Sequence, residues 1–285
     1  MTAVALACLS ALLFGGMSVG LRIGLTRHPD ADLATLATVA GALVVGLVAA
    51  AAEAPARGVH AGAAWPFVLA GLLSPGAAQV LVTLAIREVG ASRASVVLGA
   101  APLVAVTIAL VLLGEPARAP LLVGAVLIVL GGLELAWERG RPVHLRRVGL
   151  VLAFAATILF SARDNLLRWL SRDTPVPPAV AAAAALLGGS LLIAVLLGPR
   201  LRAPAVRHAL PFAGVGVLFG LSYVSLFEAY YRGRVTVVSP LVATESLWGV
   251  ALSVLFIRHT ELVGRRLLLG TLLIVTGGVL IGAFR

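Results

Sequence analysis

Apolar runs of about 20 residues, separated by short clusters of Arg, Pro and Gly, follow one another along the whole chain. A bilayer core of roughly 30 Å takes about 20 apolar residues of helix. Runs of this kind lie at about 3–22, 33–53, 64–87, 92–113 and 118–137, and again at 147–169, 178–198, 208–231, 235–257 and 263–284. They predict ten membrane helices joined by loops too short to hold a soluble domain. The expected fold class is all-α integral membrane, multi-pass, with the helices in one compact bundle. The stretch "AVAAAAALLGGSLL" (179–192) has the small side chains that let membrane helices approach closely. The first run lacks a basic segment before it, so a structural span is expected there and not a cleaved leader.

The polar interruptions repeat. "LLFGGMSVGLRIGLTR" (12–27) lies over "ILFSARDNLLRWLSRD" (158–173), with Phe14 on Phe160 and Arg22 on Arg168, an offset of 146. "EPARAPLLVGAVLIVLGG" (115–132) lies over "ELVGRRLLLGTLLIVTGG" (261–278) at the same offset, with Glu115 on Glu261 and Gly124 on Gly270. Between them the offset is 144: "REVGASRASVV" (87–97) lies over "YRGRVTVVSPL" (231–241), with Ser95 on Ser239. The domains expected are therefore a first five-helix repeat, 1–142, and a second, 143–285. Five is odd, so the second half would enter the membrane in the opposite sense. Inverted-topology repeats are characteristic of secondary transporters, whose solute site lies near the midplane between the repeats.

Composition narrows the class further. The chain is 60% hydrophobic and 12% charged, against about 25% charged in soluble proteins. Its net charge of +10 comes from arginine alone, as there is no lysine. The arginines stand singly or in pairs between apolar runs, which suits membrane-surface loops and gives no basic stripe for nucleic acid. Cys8 has no disulfide partner, and His28, His60, His144, His208 and His259 share no metal-ligand spacing. No cofactor is expected.

"APLVAVTIALVLLGEPARAPLLVGAVLIVLGG" (101–132) and "VVSPLVATESLWGVALSVLFIRHTELVGRRLLLGTLLIVTGG" (237–278) carry a Pro, an apolar helix, a Glu turn, then a helix with Gly and Gly-Gly. In this the chain resembles the drug/metabolite transporter superfamily, and within it the ten-helix EamA-like branch. The second half departs from the pattern at Ser246, where Pro102 stands in the first, and at the Arg-His-Thr before Glu261. The resemblance covers the whole chain. It implies the fold and a transport role, with substrates ranging over amino acids, other metabolites and drugs.

Charged residues inside membrane helices cost roughly 2.5–3.5 kcal/mol on insertion scales and mark functional sites by default. Arg163, Asp164, Glu228 and Glu245 qualify. At about 100° per residue, Thr157, Ser161, Asp164 and Arg168 form one polar stripe on the sixth span. Asp164 and Arg168 can pair locally at i,i+4, or Asp164 can face the space between the repeats. Arg163 points away from the stripe and is expected to snorkel to the interface. Glu245 stands mid-span with no basic residue within a turn, on a face shared by Leu241, Trp248 and Leu252. A carboxylate there must be protonated, paired with a distant arginine, or open to a cavity. Tyr223 suits a cavity wall, and Gln79 aligns with it in the repeat. Tyr230 and Tyr231 suit an interfacial belt, as do Glu134, Trp137 and Glu138. Glu115 and Glu261 begin helices, where a carboxylate suits the positive dipole end.

The candidate solute- or proton-binding residues are thus Glu245, Asp164, Glu228, Tyr223, Gln79, Ser161, Trp248 and Arg168. The expected function is secondary transport of a small organic metabolite, an amino acid or drug-like solute, by alternating access. We expect an exporter driven by a gradient or by exchange, since no phosphate-binding glycine loop is present. Its partners would be the solute, protons and the lipid bilayer of the cell membrane, and the sequence leaves room for a homodimer. The competing reading is an integral-membrane enzyme acting on a lipid, which needs a nucleophile or metal constellation that the sequence lacks. Arginines crowd the loops after spans 1, 3, 5, 7 and 9. The positive-inside rule then places both termini outside, whereas the resemblance implies both in the cytoplasm.

Overall fold

The computed structural model describes residues 2–28, 30–89, 97–98, 100–136, 147–200, 209–256 and 265–284. The expected positions Ser95, Trp137, Glu138 and Glu261 lie outside them. All regular structure among the described residues is helical: α1 (Ala3–Arg27), α2 (Ala31–Arg57), α3 (Trp65–Gly71), α4 (Ala78–Val89), α5 (Ala101–Leu112), α6 (Ala119–Ala136), α7 (Arg147–Leu170), α8 (Pro178–Leu197), α9 (Leu210–Arg232), α10 (Val235–Val242), α11 (Glu245–Phe256) and α12 (Arg265–Phe284). Six stretches among the described residues are long and apolar enough to cross a membrane: Ala3–Leu25, Ala31–Arg57, Trp65–Val82, Val148–Leu170, Pro178–Arg200 and Leu210–Arg232. Ala101–Leu112, Ala119–Glu134 and Leu269–Ile281 are shorter apolar helices.

Two expected spans are broken where the sequence reading drew them straight. In the third, a π turn at Leu72–Ala77 joins α3 to α4, and Ser74 leaves helical geometry at φ −153, ψ 123. Pro75 supplies the reason: it has no N–H to donate, and its ring crowds the carbonyl four residues back. In the ninth, α10 ends at Val242 and α11 starts at Glu245. There the Thr244 hydroxyl donates to the Leu241 carbonyl at 2.6 Å, the acceptor that the Glu245 N–H would take in a continuous helix. Elsewhere the helices begin as local chemistry dictates. The Asp30 carboxylate caps α2 at Leu33 N, 3.0 Å away, and Pro178 opens α8.

Small residues set the helix pairings. The α6–α12 pair is so close that a Cβ on Gly277 would stand 2.5 Å from the Gly124 carbonyl oxygen, and one on Gly131 would stand 2.6 Å from that of Gly270. α2 meets α9 through Gly41 and Gly216, and α3 meets α8 through Gly71 and Gly188. α1 lies on α9 and α11, α4 on α7, α5 on α7 and α10, and α2 also on α8. The core they enclose holds Phe67, Phe212, Tyr223, Phe227 and Tyr230, all buried. Val111, Leu112, Val148, Val151, Val195 and Phe256 are exposed on the outside. Such a girdle of bare aliphatic surface suits lipid and would not suit water.

Candidate functional site

α7 brings two sets of polar groups into the bundle. One set is Thr157, Ser161 and Asn165, spaced four residues apart. Thr157 Oγ donates to the Val97 carbonyl (3.2 Å), Ser161 Oγ to that of Ala101 (2.9 Å) and Asn165 Nδ2 to that of Ala105 (3.0 Å). The acceptors are also four residues apart, so the two helices are stitched turn by turn. Asn165 Nδ2 also donates its second hydrogen to the Ser161 carbonyl one turn back on α7, and the single hydroxyl hydrogens of Thr157 and Ser161 are shared with the carbonyls of Ala153 and Thr157. Thr157 and Ser161 are fully buried by this packing. The structure therefore places Ser161 against α5.

The second set centres on Arg163. Arg163 is 8% exposed and does not snorkel, contrary to expectation. Nε and Nη2 donate to Asp164 Oδ1 at 2.9 and 2.7 Å. Nη1 reaches Ser74 Oγ at 3.3 Å and the Tyr223 hydroxyl at 3.4 Å. The cation stands over the rings of Phe160 (5.4 Å) and Tyr223 (5.7 Å), which adds quadrupole attraction in a desolvated place. Asp164 Oδ2 accepts from Ser239 Oγ at 3.0 Å. Both carboxylate oxygens are thus satisfied, as a buried ion pair requires. Tyr223 in turn donates to the Ser74 carbonyl at 2.8 Å, a group near the π turn. The Tyr230 hydroxyl lies beside Asp164 and Ser239. Five elements therefore meet at one ion pair: the π turn, α7, α9, α10 and, through Glu245, α11.

Glu245 opens α11 directly after the break, and its carboxylate is within electrostatic reach of Arg163 and Asp164. Leu241 belongs to the preceding helix, so the single face expected through Leu241 and Glu245 is interrupted. Trp248 lies one turn on, where α11 packs on Gly15 of α1: a Cβ there would stand 2.9 Å from both Trp248 Cβ and Gly249 N. Aromatic rings line α9 on the inner side. Phe219 meets Phe14 edge-on (centroids 5.8 Å) and Tyr223 (5.3 Å), and Tyr223 meets Phe227 (5.5 Å).

The remaining candidates are Glu228, Gln79 and Arg168. Glu228 pairs with Arg232 one turn along α9, partly exposed. Gln79 is partly buried near the start of α4. Arg168 does not pair with Asp164: its Nη1 donates to the Tyr230 carbonyl at 3.0 Å. Tyr230 is fully buried and so forms no belt, while the Tyr231 hydroxyl donates to the Val176 carbonyl at 3.0 Å. Glu115 does not cap its own helix. It accepts from the backbone of Val235 and Thr236 at the start of α10. Sequence reading missed Ser74, Ser239 and Asn165. The signal for the first two was available: each is a Ser-Pro pair inside an apolar run.

Residues 1–135 and 147–283 match the model of the EamA-like transporter family. A solved structure, described only as the crystal structure of a protein, shares the fold: TM-score 0.80, 21% identity, covering 98% of this chain and 95% of that one. Against curated proteins no match is found.

Proposed function

The chain belongs to the EamA-like transporter family, a family of membrane transporters, and from that premise we propose that it moves a small organic metabolite across the cell membrane by alternating access of two inverted five-helix repeats, 1–142 and 143–285, with ten membrane helices in all. The reading of ten helices draws support from the three short apolar helices, which bring the six long stretches to nine, and from α10 and α11, which together occupy the remaining expected span. The two-repeat relation draws support from contacts that exchange into each other when the halves are swapped, and the odd number of helices in each half is what would make it inverted. Gly131 lies on Gly270 and Ile274; Gly277 lies on Gly124 and Ile128. Adding 146 to 131, 124 and 128 gives 277, 270 and 274. At offsets of 147 and 145, Gly41 on Ala213 corresponds to Gly188 on Val68, and Gly216 on Thr38 corresponds to Gly71 on Ala185. α1 on α9 corresponds to α7 on α4, and α1 on α11 to α7 on α5.

The observation that carries the transport reading is the Arg163–Asp164 pair, held by Ser74 from one half and by Tyr223 and Ser239 from the other. An ion pair deep in a membrane bundle is costly. It serves a purpose where solute and coupling ion must exchange charge. We assign Glu245, Asp164 and Tyr223 to the solute or proton site, with Gln79, Trp248 and Glu228 along the path, and Ser161 and Arg168 fixing the wall that α7 contributes. Among described membrane groups near the pair, Asp164 and Glu245 face one arginine. One proton on Glu245 neutralises the set, and its release charges it. Transport is driven by a gradient or by exchange, and we expect export.

Proteoliposomes loaded with a metabolite panel test this. The parent chain should show solute flux driven by a pH gradient. Glu245→Gln keeps the shape and removes the titration. It should insert normally, lose at least about tenfold of the pH-driven flux, the scale of 1.4 kcal/mol in coupling, and retain solute–solute exchange. An unchanged pH dependence in Glu245→Gln would remove the proton role.

A further inference from the structure

The turn between α5 and α6 carries Gly114, whose φ of 62 is left-handed, and then Glu115. Glu115 is 6% exposed. Its Oε1 accepts from Val235 N and its Oε2 from Thr236 N, both at 2.9 Å. These are the first two N–H groups of α10, left without partners inside their own helix and carrying its positive end. The residue before them, Arg234, gives no side-chain cap. The cap is supplied from the other half of the chain.

Three further bonds gather at the same end. Arg168 Nη1 and Ser171 Oγ donate to the Tyr230 carbonyl at 3.0 and 3.3 Å, and Arg172 Nη2 reaches the Leu113 carbonyl at 3.5 Å. Together they draw the α5–α6 turn, the end of α7 and the α9–α10 turn into one closed corner. Arg168 at this corner stands within electrostatic reach of Glu115, Arg172 and Arg234. Ser239, which holds Asp164, lies four residues beyond Val235 on the same short helix. A shift of α10 at the Glu115 end therefore moves Ser239 against Asp164.

We propose that Glu115 is a positioning residue, a latch that closes one end of the solute path and sets α10, and with it Ser239, against the Arg163–Asp164 pair. The inference rests on the two-repeat transport reading.

The test reads labelling, which requires no solute. In a Cys8→Ser background, Thr236→Cys places a thiol under the latch. Thr236 is 1% exposed and its hydroxyl makes no hydrogen bond among the described residues, so the change costs no hydrogen bond. A membrane-impermeant maleimide should label it slowly in the parent and about tenfold faster in Glu115→Gln, the loss expected for charge-assisted bonds. Val235→Pro removes one donor without touching Glu115. Proline suits the first helical position, and the extended backbone of Arg234 (φ −80, ψ 154) suits the residue before it. It should speed labelling in the same direction and carries the test if Glu115→Gln does not insert. A thiol at Thr38→Cys, buried against Gly216 more than three turns of α9 away from Tyr230, should keep its parent rate in both variants. Mere loosening of the fold would speed both sites, and that result would overturn the latch. Parent-rate labelling of Thr236→Cys in both variants would overturn it as well. Failure of the parent chain to transport any solute would strike the transport reading and leave the labelling result standing.

Discussion

At the scale of single residues, Arg163 and Asp164 decide how the interior charge is held. Adjacent side chains on a helix diverge by about 100°, so sequence spacing favoured Asp164 with Arg168. The guanidinium stem is long enough to turn back along the helix, and the π turn offers Ser74 to receive it. A pairing made by a third, distant element has no periodicity, which is why the sequence located the charges but not their partners. The pair makes a specific prediction. Arg163→Ala leaves a buried carboxylate without its cation, at a cost of about 3–5 kcal/mol. Much less folded protein should survive detergent extraction. Arg163→Met combined with Asp164→Leu removes both charges and should recover most of the lost melting temperature while remaining inactive. A double variant no more stable than Arg163→Ala would show that the ion pair is not what the fold depends on there.

At the scale of elements, most of the helices were legible because apolar length is a strong signal. The two breaks were not, since a π turn or a one-turn interruption leaves an apolar run unchanged in length and hydropathy. The polar face of α7 was read in part. Positions i+3 and i+4 from Ser161 lie on the same side of a helix, so periodicity could not choose between Asp164 and Asn165 as the continuation. The structure continues it through Asn165 to the α5 carbonyls. Bonds of this kind between membrane helices average about 0.6 kcal/mol and reach about 1.7. Thr157→Val and Asn165→Leu should each lower unfolding stability by that order in detergent titration, and together by their sum, with the pH dependence of transport unmoved. An altered pH dependence in either would place the stitch in the transport site itself.

At the scale of the whole molecule, the swap of contacts between the halves leads to an expectation about sidedness. The connection holding Val59, between α2 and α3, and the one holding Ala203, between α8 and α9, fall at matching places in the two proposed repeats. Single cysteines at Val59, which is exposed, and at Ala203 should label from opposite faces of sealed vesicles. Labelling from the same face would mean that the halves run parallel. The glycine seam between α6 and α12 has a consequence for ancestry. Gly131 on Gly270 and Gly277 on Gly124 are the same contact made twice, once by each half in the role of the other. Such a surface is self-complementary, as in an isologous dimer. On the proposed two-repeat reading, two separate copies of one half, inserted in opposite senses, would already have met along it. Gene fusion would then have had no new interface to invent, only an existing one to make permanent.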